Sequence, residues 1–166
     1  SAQAQRVVGF HALDRLRPGR LLAVLFLDLD GFKHINDTLG HAVGDTLLQA
    51  VSARLQENVR HGDVVARMGG DEFTVLLSRL SSAEEGIAIA RRLRATLARP
   101  IPCGERDLFV TASIGASFYP ADGATAEILL RHADLAMYQA KRRGNSLCLF
   151  EPARDAAARE RLRLEH

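Results

Sequence analysis

Two short acidic clusters are the residues of this sequence whose types and spacing could do chemistry. The first, Asp28-Leu29-Asp30, ends an apolar run, and the second, Asp71-Glu72, directly follows Gly69-Gly70. Successive side chains of a strand point to opposite faces, so the two aspartates of the first cluster share a face if the strand continues. Carboxylates beside glycine-rich backbone are suited to a hard cation that also touches a phosphate.

Nucleotidyl transfer needs such a cation, because Mg²⁺ organises the triphosphate and neutralises the charge that builds up during bond breaking. A calcium-binding EF-hand is excluded, since its sixth and twelfth positions counted from Asp28 hold Lys33 and Leu39 instead of Gly and Glu. Taken singly, each cluster also fits a structural role. The first could be a strand-end cap, and the second could be a solvated hairpin.

The bulk properties limit the class of protein. The chain has 166 residues, enough for one domain with its own core, and a net charge of +2 gives no electrostatic case for binding nucleic acid. The longest apolar run, residues 21–27, is too short to cross a bilayer, and no signal peptide is recognisable. Cys103 and Cys148 lack metal or redox spacing, which favours a reduced, cytoplasmic protein. We expect no membrane contact by this domain, whatever anchors a parent protein.

The elements that must position the clusters alternate irregularly. Apolar runs predict strands at residues 21–28, 64–68, 72–77, 108–118 and 146–150. Helices are predicted at residues 32–39, 45–59, 81–97, 125–143 and 153–164. Asp45 is the expected cap of the second helix, and Ser81-Ser82-Ala83-Glu84 fits a capping box for the third. The Gly69-Gly70 pair indicates a hairpin, so we predict an α+β fold with helices on a largely antiparallel sheet.

These residues together resemble the GGDEF family of diguanylate cyclases, which is named after the motif at residues 69–73. Residues 27–33 resemble the family's metal-binding strand end, residues 35–45 its guanine-binding segment, and residues 133–144 its C-terminal helix motif. The order and spacing agree over roughly residues 21–150. The resemblance implies a five-stranded sheet wrapped by helices, related to the class III nucleotidyl cyclases and the polymerase palm.

The resemblance also implies a role for each matching residue. Asp28 and Asp71 would bind Mg²⁺ or Mn²⁺ through carboxylates, and Leu29 would bind it through its carbonyl. Either Asp71 or Glu72 would help to deprotonate the ribose 3′-hydroxyl of GTP. The phosphates would be held by the remaining groups, namely the backbone of Phe32 and Lys33, the ammonium groups of Lys33 and Lys141, and the hairpin glycines Gly69 and Gly70. Lys33 is counted with the catalytic residues, and these two lysines are the only ones in the chain.

Guanine recognition and regulation follow from the same resemblance. Asn36 and Asp45 would read the guanine, since a carboxylate can accept from N1–H and the exocyclic amine, and His41 would line the pocket. Arg60-His61-Gly62-Asp63 fits the family's Arg-x-x-Asp inhibitory site, which implies product inhibition by cyclic di-GMP. Arg can fork onto a phosphate there, and Asp can accept from the guanine edge.

The sequence departs from the family pattern at both ends. The usual opening segment, Asp-x-Leu-Thr-Gly-Leu-x-Asn-Arg, is absent, so we expect the domain, residues 1–150, to have been trimmed just after it. Asn145 follows Gly144 where the family often has Arg, which removes one basic contact and predicts lowered activity. Residues 151–163 resemble a connector helix leading to an EAL phosphodiesterase domain, and residues 164–166 look like a tag remnant.

Two functions therefore stay open. The first is a diguanylate cyclase in which two subunits, each holding one GTP, face each other across a two-fold axis and make cyclic di-GMP. The alternative is a catalytically weak regulatory module that binds GTP or cyclic di-GMP and controls an adjacent EAL domain. Sensor domains in the same parent chain are compatible with both.

Overall fold

The computed structural model describes residues 20–144 and 146–152 of the chain. Within them the strands are β1 (Leu21–Asp30), β2 (Val64–Gly69), β3 (Glu72–Leu80), β4 (Ile101–Cys103), β5 (Arg106–Leu108), β6 (Thr111–Tyr119) and β7 (Leu147–Leu149). The helices are α1 (Phe32–Leu39), α2 (His41–Glu57), α3 (Ala83–Leu97) and α4 (Ala126–Arg143). No helix in these ranges is both long and apolar enough to cross a membrane.

Five strands form one sheet in the order β2-β3-β1-β6-β7, and all neighbours are antiparallel except β6 and β7. Strands β4 and β5 form a separate small hairpin. The predicted α+β fold with a largely antiparallel five-stranded sheet is confirmed.

The central strand β1 is buried on both faces, which explains its unbroken apolar sequence. Its odd-numbered residues from Ala23 to Leu29 pack in one core with α2 and α3. Leu22, Val24 and Phe26 point the other way and pack in a second core with α4. The alternation therefore directs the next even-numbered side chain, Asp28, towards the α4 side of the sheet.

Helix α4 lies directly against the backbone of β6 at Gly115. A Cβ atom built on Gly115 would lie 2.0 Å from the amide nitrogen of Met137 and 2.2 Å from the carbonyl oxygen of Ala133. The contact is reinforced by the Ser117 hydroxyl, which donates to the carbonyl of Leu129 at 2.7 Å. Only glycine allows this approach, so Gly115 sets the distance between α4 and the sheet.

Several predicted boundaries are wrong. Helix α2 begins at His41, after Gly40 with φ of 94°, so Asp45 lies inside the helix and does not cap it. The predicted strand at 108–118 is divided, because Leu108 closes the β4–β5 hairpin and β6 begins at Thr111.

The capping box is shifted by one residue. The Ser82 hydroxyl accepts from the amide of Glu85 at 3.1 Å, so Ser82 is the cap of α3. The Glu85 carboxylate reaches back to the amide of Ser81 at 3.4 Å. The helix predicted at 153–164 lies outside the described residues.

We predict that Gly115→Ala lowers the free energy of unfolding by about 1–3 kcal/mol, because the methyl group forces α4 away from β6. Urea denaturation would measure this loss. Gly86→Ala is the matched control, since its added Cβ would meet the side chains of Phe118 and Leu80 instead of backbone. Equal stability of the Gly115 variant and the unmodified chain would contradict the proposed constraint.

Candidate functional site

The end of β1 and the β2–β3 hairpin meet at one edge of the sheet. Asp28 is paired in register with Glu72 on one side and Ser113 on the other. The hairpin pairs Gly69 with Glu72, so its tip residues are Gly70 and Asp71, one residue later than predicted. Both glycines have positive φ, 142° for Gly69 and 51° for Gly70. The tip is tied to β1 because the amide of Leu29 donates to the carbonyl of Asp71 at 3.1 Å.

Asp28 is a nearly buried carboxylate with one satisfied oxygen. It is 8% exposed, and its Oδ2 pairs with the ammonium of Lys141 in the last turn of α4 at 2.5 Å. Its Oδ1 is buried and has no hydrogen-bond partner within the described part of the chain. Side chains alternate along β1, so Asp28 points to the α4 side of the sheet, and α4 packs closely there. Asp28 and Lys141 thus meet although they are 113 positions apart in the chain.

The charges at this edge act strongly on one another. Burial raises the pKa of Asp28 to about 6, and the nearby Asp71 carboxylate adds to the rise, whereas the Lys141 ammonium opposes it. Burial alone would lower the pKa of Lys141, but the hydrogen bond that it donates to Asp28 and the charges of Asp28, Asp71 and Asp30 leave it raised. Lys141 is therefore the cation of a small acidic cluster.

The donor set at this edge fits a hard divalent cation. Asp28 offers a buried oxygen to which no described residue donates, and Asp71 is close enough to Asp28 to interact with it. Asp30 is already engaged, since it accepts from the hydroxyls of Thr111 and Ser113, each at 2.9 Å. No group of three or more His, Cys, Asp or Glu within the described ranges is arranged to hold a metal unaided. Two carboxylates are nevertheless what Mg²⁺ typically takes when substrate oxygens complete its shell.

Helix α1 starts immediately beside the acidic edge, and its N-terminal amides have no partner within the helix. Its cap, Gly31, has φ of 77° and provides no side chain, so the first amides of the helix have no cap acceptor. Phe32 is buried and anchors the helix, whereas Lys33 is exposed. A helix N-terminus of this kind favours an anion.

Asn36 and Gly44 form a close contact between α1 and α2. A Cβ atom on Gly44 would lie 1.8 Å from Oδ1 of Asn36, so the glycine makes room for the amide. That oxygen is buried and has no partner among the described residues. Asp45, next to Gly44, and His41, at the start of α2, are both exposed. The three predicted guanine contacts therefore lie on two helices that touch at Asn36 and Gly44.

Arg60 and Asp63 form a turn that is built into the fold. The side chain of Asp63 is 1% exposed and accepts from the amides of Arg60 and Ser78, each at 2.9 Å. The Arg60 guanidinium is 48% exposed, donates to the carbonyl of Ser78 at 3.1 Å and pairs with Glu85 at 2.9 Å. The two predicted residues therefore lie next to each other, but the carboxylate oxygens of Asp63 already accept from amides of the protein itself.

Glu72 lines a cavity of about 400 Å³ on the α4 side of the sheet. Phe26, Met68 and Leu130 supply its apolar wall, and Asp134 lies on the same cavity. Glu72 follows Asp71 in the chain and is paired in register with Asp28, so it lies on the same face of the sheet as that carboxylate.

Three contacts that shape the site were not predicted from the sequence. Gly44 and Gly115 act through the absence of a side chain, and the only sequence signal for them is a glycine inside a helix or strand. The Arg60–Glu85 ion pair joins two distant segments and left no local signal.

Comparisons with known proteins show which family the chain belongs to. The family model described as "Diguanylate cyclase, GGDEF domain" matches residues 10–146. The bifunctional diguanylate cyclase/cyclic di-GMP phosphodiesterase MucR of Pseudomonas aeruginosa is 43% identical over 152 residues, which are 91% of this chain and 22% of MucR. Diguanylate cyclase TpbB of the same species is 47% identical over 122 residues, 73% of this chain and 28% of TpbB. The chain therefore spans less than a third of these relatives' length.

Solved structures of two GGDEF domains are similar to this one. The crystal structure of the TpbB domain is 41% identical and has a TM-score of 0.82, covering 90% of this chain and 94% of that chain. The domain of DgcB from Caulobacter crescentus, in complex with c-di-GMP, is 25% identical with a TM-score of 0.79 and covers 89% of each chain.

We predict that Asp63→Ala lowers the free energy of unfolding by about 1–3 kcal/mol, because it leaves the half-buried amide of Ser78 without its acceptor. Arg60→Ala should cost about 1 kcal/mol or less, since its side chain is half-exposed. Chemical denaturation of both variants tests this order. A larger loss in the Arg60 variant would show that Asp63 is not the structural member of the pair.

Proposed function

The chain belongs to the diguanylate cyclase GGDEF-domain family, and we propose that it condenses two molecules of GTP into cyclic di-GMP and two pyrophosphates. The observation that carries the proposal is the edge where Asp28, Asp71 and Lys141 meet beside the uncapped start of α1. An oxygen-rich pair next to an ammonium and free amides is suited to a metal-bound triphosphate.

The reaction is a double nucleotidyl transfer. The 3′-oxygen of one GTP forms a bond to the α-phosphorus of the other, the bond from that phosphorus to the bridging oxygen breaks, and pyrophosphate leaves with the electron pair. The hydroxyl proton passes to a carboxylate. The same transfer, with the roles of the two nucleotides exchanged, closes the ring and releases the second pyrophosphate. Since each step needs the 3′-hydroxyl of a second nucleotide, two copies of the chain must face each other.

Asp28 and Asp71, with the carbonyl of Leu29, would hold Mg²⁺ or Mn²⁺. When bound, the metal supplies charge neutralisation at the triphosphate. The backbone of Phe32 and Lys33 would bind phosphate oxygens at the start of α1, with Gly69 and Gly70 allowing close approach. The ammonium groups of Lys33 and Lys141 would neutralise the remaining charge.

Glu72 is the better candidate for the base. Asp71 acts on the pKa of Asp28, which supports a role for Asp71 at the metal, whereas Glu72 lines the neighbouring cavity. Asn36, Asp45 and His41 would read the guanine between α1 and α2. The Oδ1 of Asn36 supports this assignment, because it is buried, has no partner in residues 20–144 and 146–152, and would accept from a guanine donor.

We also propose product inhibition at the turn of Arg60 and Asp63. The half-exposed guanidinium of Arg60 can receive a phosphate of cyclic di-GMP, whereas Asp63 holds the turn. The resemblance to DgcB, whose domain is in complex with c-di-GMP, supports a product site in this family. Arg60→Ala is the appropriate test, since Asp63 variants would disturb the fold.

The second candidate function is a weakly catalytic regulatory module. Its support is the likeness to MucR, which is bifunctional and much longer than this chain. In that arrangement residues 151–163 would lead from the domain, residues 1–150, to an EAL phosphodiesterase domain. Both functions use GTP or cyclic di-GMP, and we place both in the cytoplasm, where GTP is made and used.

Incubation of the chain with GTP and Mg²⁺, followed by chromatography for cyclic di-GMP, tests the cyclase. A phosphodiesterase in the reaction relieves product inhibition, and its linear product is counted too. We expect product from the unmodified chain, and a rate per chain that rises with protein concentration. Glu72→Gln should remove at least about 99% of the activity, as expected for loss of a general base. Glu84→Gln, an exposed carboxylate of α3, should have no effect.

Absence of product under conditions where GTP binds and a dimer forms would contradict the cyclase. That result would favour the regulatory module.

We predict that Gly44→Ala weakens GTP binding about tenfold without lowering stability. The added methyl displaces the end of the Asn36 side chain, which costs about one hydrogen bond to the ligand, whereas alanine is the better helix former. Calorimetric titration with a non-hydrolysable GTP analogue and thermal unfolding measure the two quantities.

Asn36→Ala provides the control for that effect. The double variant with Gly44→Ala should bind no more weakly than Asn36→Ala alone, because both substitutions remove the same contact. Additive losses would show that Gly44 acts on the nucleotide by another route.

A further inference from the structure

The ion pair between Lys141 and Asp28 occupies the carboxylate that a metal would need. The ammonium lies 2.5 Å from Oδ2 of Asp28, while Oδ1 is buried and receives no hydrogen bond from any residue that the structure describes. The same ammonium feels the charges of Asp71 and Asp30. A single lysine thus serves as counter-ion to several carboxylates of this edge.

Such a counter-ion has a physical reason. Asp28 and Asp71 repel each other, and Asp28 has lost most of its water. Leaving a nearly buried carboxylate without a cation would be costly, and Lys141 offsets that cost. A divalent cation would do the same, so the ammonium and the metal compete for one place.

We propose that Lys141 is the built-in counter-ion of Asp28 in the nucleotide-free protein, and that it transfers to the triphosphate when metal and GTP bind together. The inference rests on the proposed function and adds to it that metal and nucleotide bind together, not the metal first. A divalent metal alone binds weakly because it must expel the ammonium. The metal–nucleotide complex binds well because its phosphates accept the ammonium that the metal displaces.

The structure permits this transfer without repacking. The Lys141 side chain is 45% exposed and lies in the last turn of α4, just before Gly144. Its backbone is held by the packing of α4 on Gly115, so only the flexible four-carbon stem has to move. A phosphate bound at the start of α1 would lie on the same edge as Asp28, since α1 follows β1 after one residue, Gly31.

Binding of Mn²⁺ alone, followed by the electron paramagnetic resonance signal of the free ion, tests the proposal. Lys141→Met should bind Mn²⁺ at least about tenfold more tightly than the unmodified chain, because a unit charge within about 4 Å of the metal is gone. Lys141→Arg keeps the cation and should leave binding weak. Asp28→Asn should bind Mn²⁺ more weakly than Lys141→Met does.

Arg142→Met is the matched control for charge. It removes the neighbouring cation, whose guanidinium lies over the ring of Tyr138, 5.9 Å from the centroid, and it should leave Mn²⁺ binding unchanged. Circular dichroism and thermal unfolding establish that each variant is folded, and Lys141→Gln replaces Lys141→Met if the latter is not.

A second titration in the presence of a non-hydrolysable GTP analogue measures the coupling. The analogue should tighten Mn²⁺ binding more in the unmodified chain than in Lys141→Met. Equal or weaker binding of Mn²⁺ alone by folded Lys141→Met would overturn the proposal. A chain that makes no cyclic di-GMP but shows the expected Mn²⁺ changes would refute the cyclase and keep the counter-ion. An active enzyme whose Mn²⁺ binding is unaltered by Lys141→Met would keep the cyclase and refute the counter-ion.

Discussion

The close packing of α4 on the backbone of β6 is the constraint on which the site depends. Gly115 lets the helix approach to a distance that no side chain would allow. The approach brings the end of α4, and with it Lys141, over the end of β1. It also completes the second core, so that β1 is buried on both faces and only its last residues reach the edge.

A nearly buried carboxylate then becomes the centre of the site's electrostatics. Asp28 is held by pairing to β3 and β6 on either side and cannot retreat into water. The hairpin tip, tied to β1 through the amide of Leu29, adds the charge of Asp71. The two carboxylates need a cation, which Lys141 supplies in this structure, and that need links the fold to chemistry on triphosphates. Binding at this edge can therefore be regulated by the cation that supplies the positive charge.

The sequence predicted the parts of this account that depend on local patterns. The long apolar run of β1, the helix at 32–39 and the Gly-Gly hairpin could be read directly, because burial on two faces, helical periodicity and positive φ each leave a local signal. The start of α2 was misplaced because Gly40 offers no side-chain cap, whereas Asp45 looked like one. The β4–β5 hairpin was missed because its strands have only three residues each.

Long-range contacts had to come from the structure. The pairing of Lys141 with Asp28 and that of Arg60 with Glu85 join segments that are far apart in sequence. The burial of Asp63 was equally unpredictable, since its partner Ser78 is an ordinary residue of β3.

A crystal structure of the chain with Mg²⁺ and a non-hydrolysable GTP analogue would test the central claim most directly. The account predicts a metal on Asp28 and Asp71, phosphates at the start of α1, the guanine beside Asn36, and the ammonium of Lys141 on a phosphate oxygen. A nucleotide bound elsewhere, or a nucleotide at this edge with Lys141 still paired to Asp28, would contradict it.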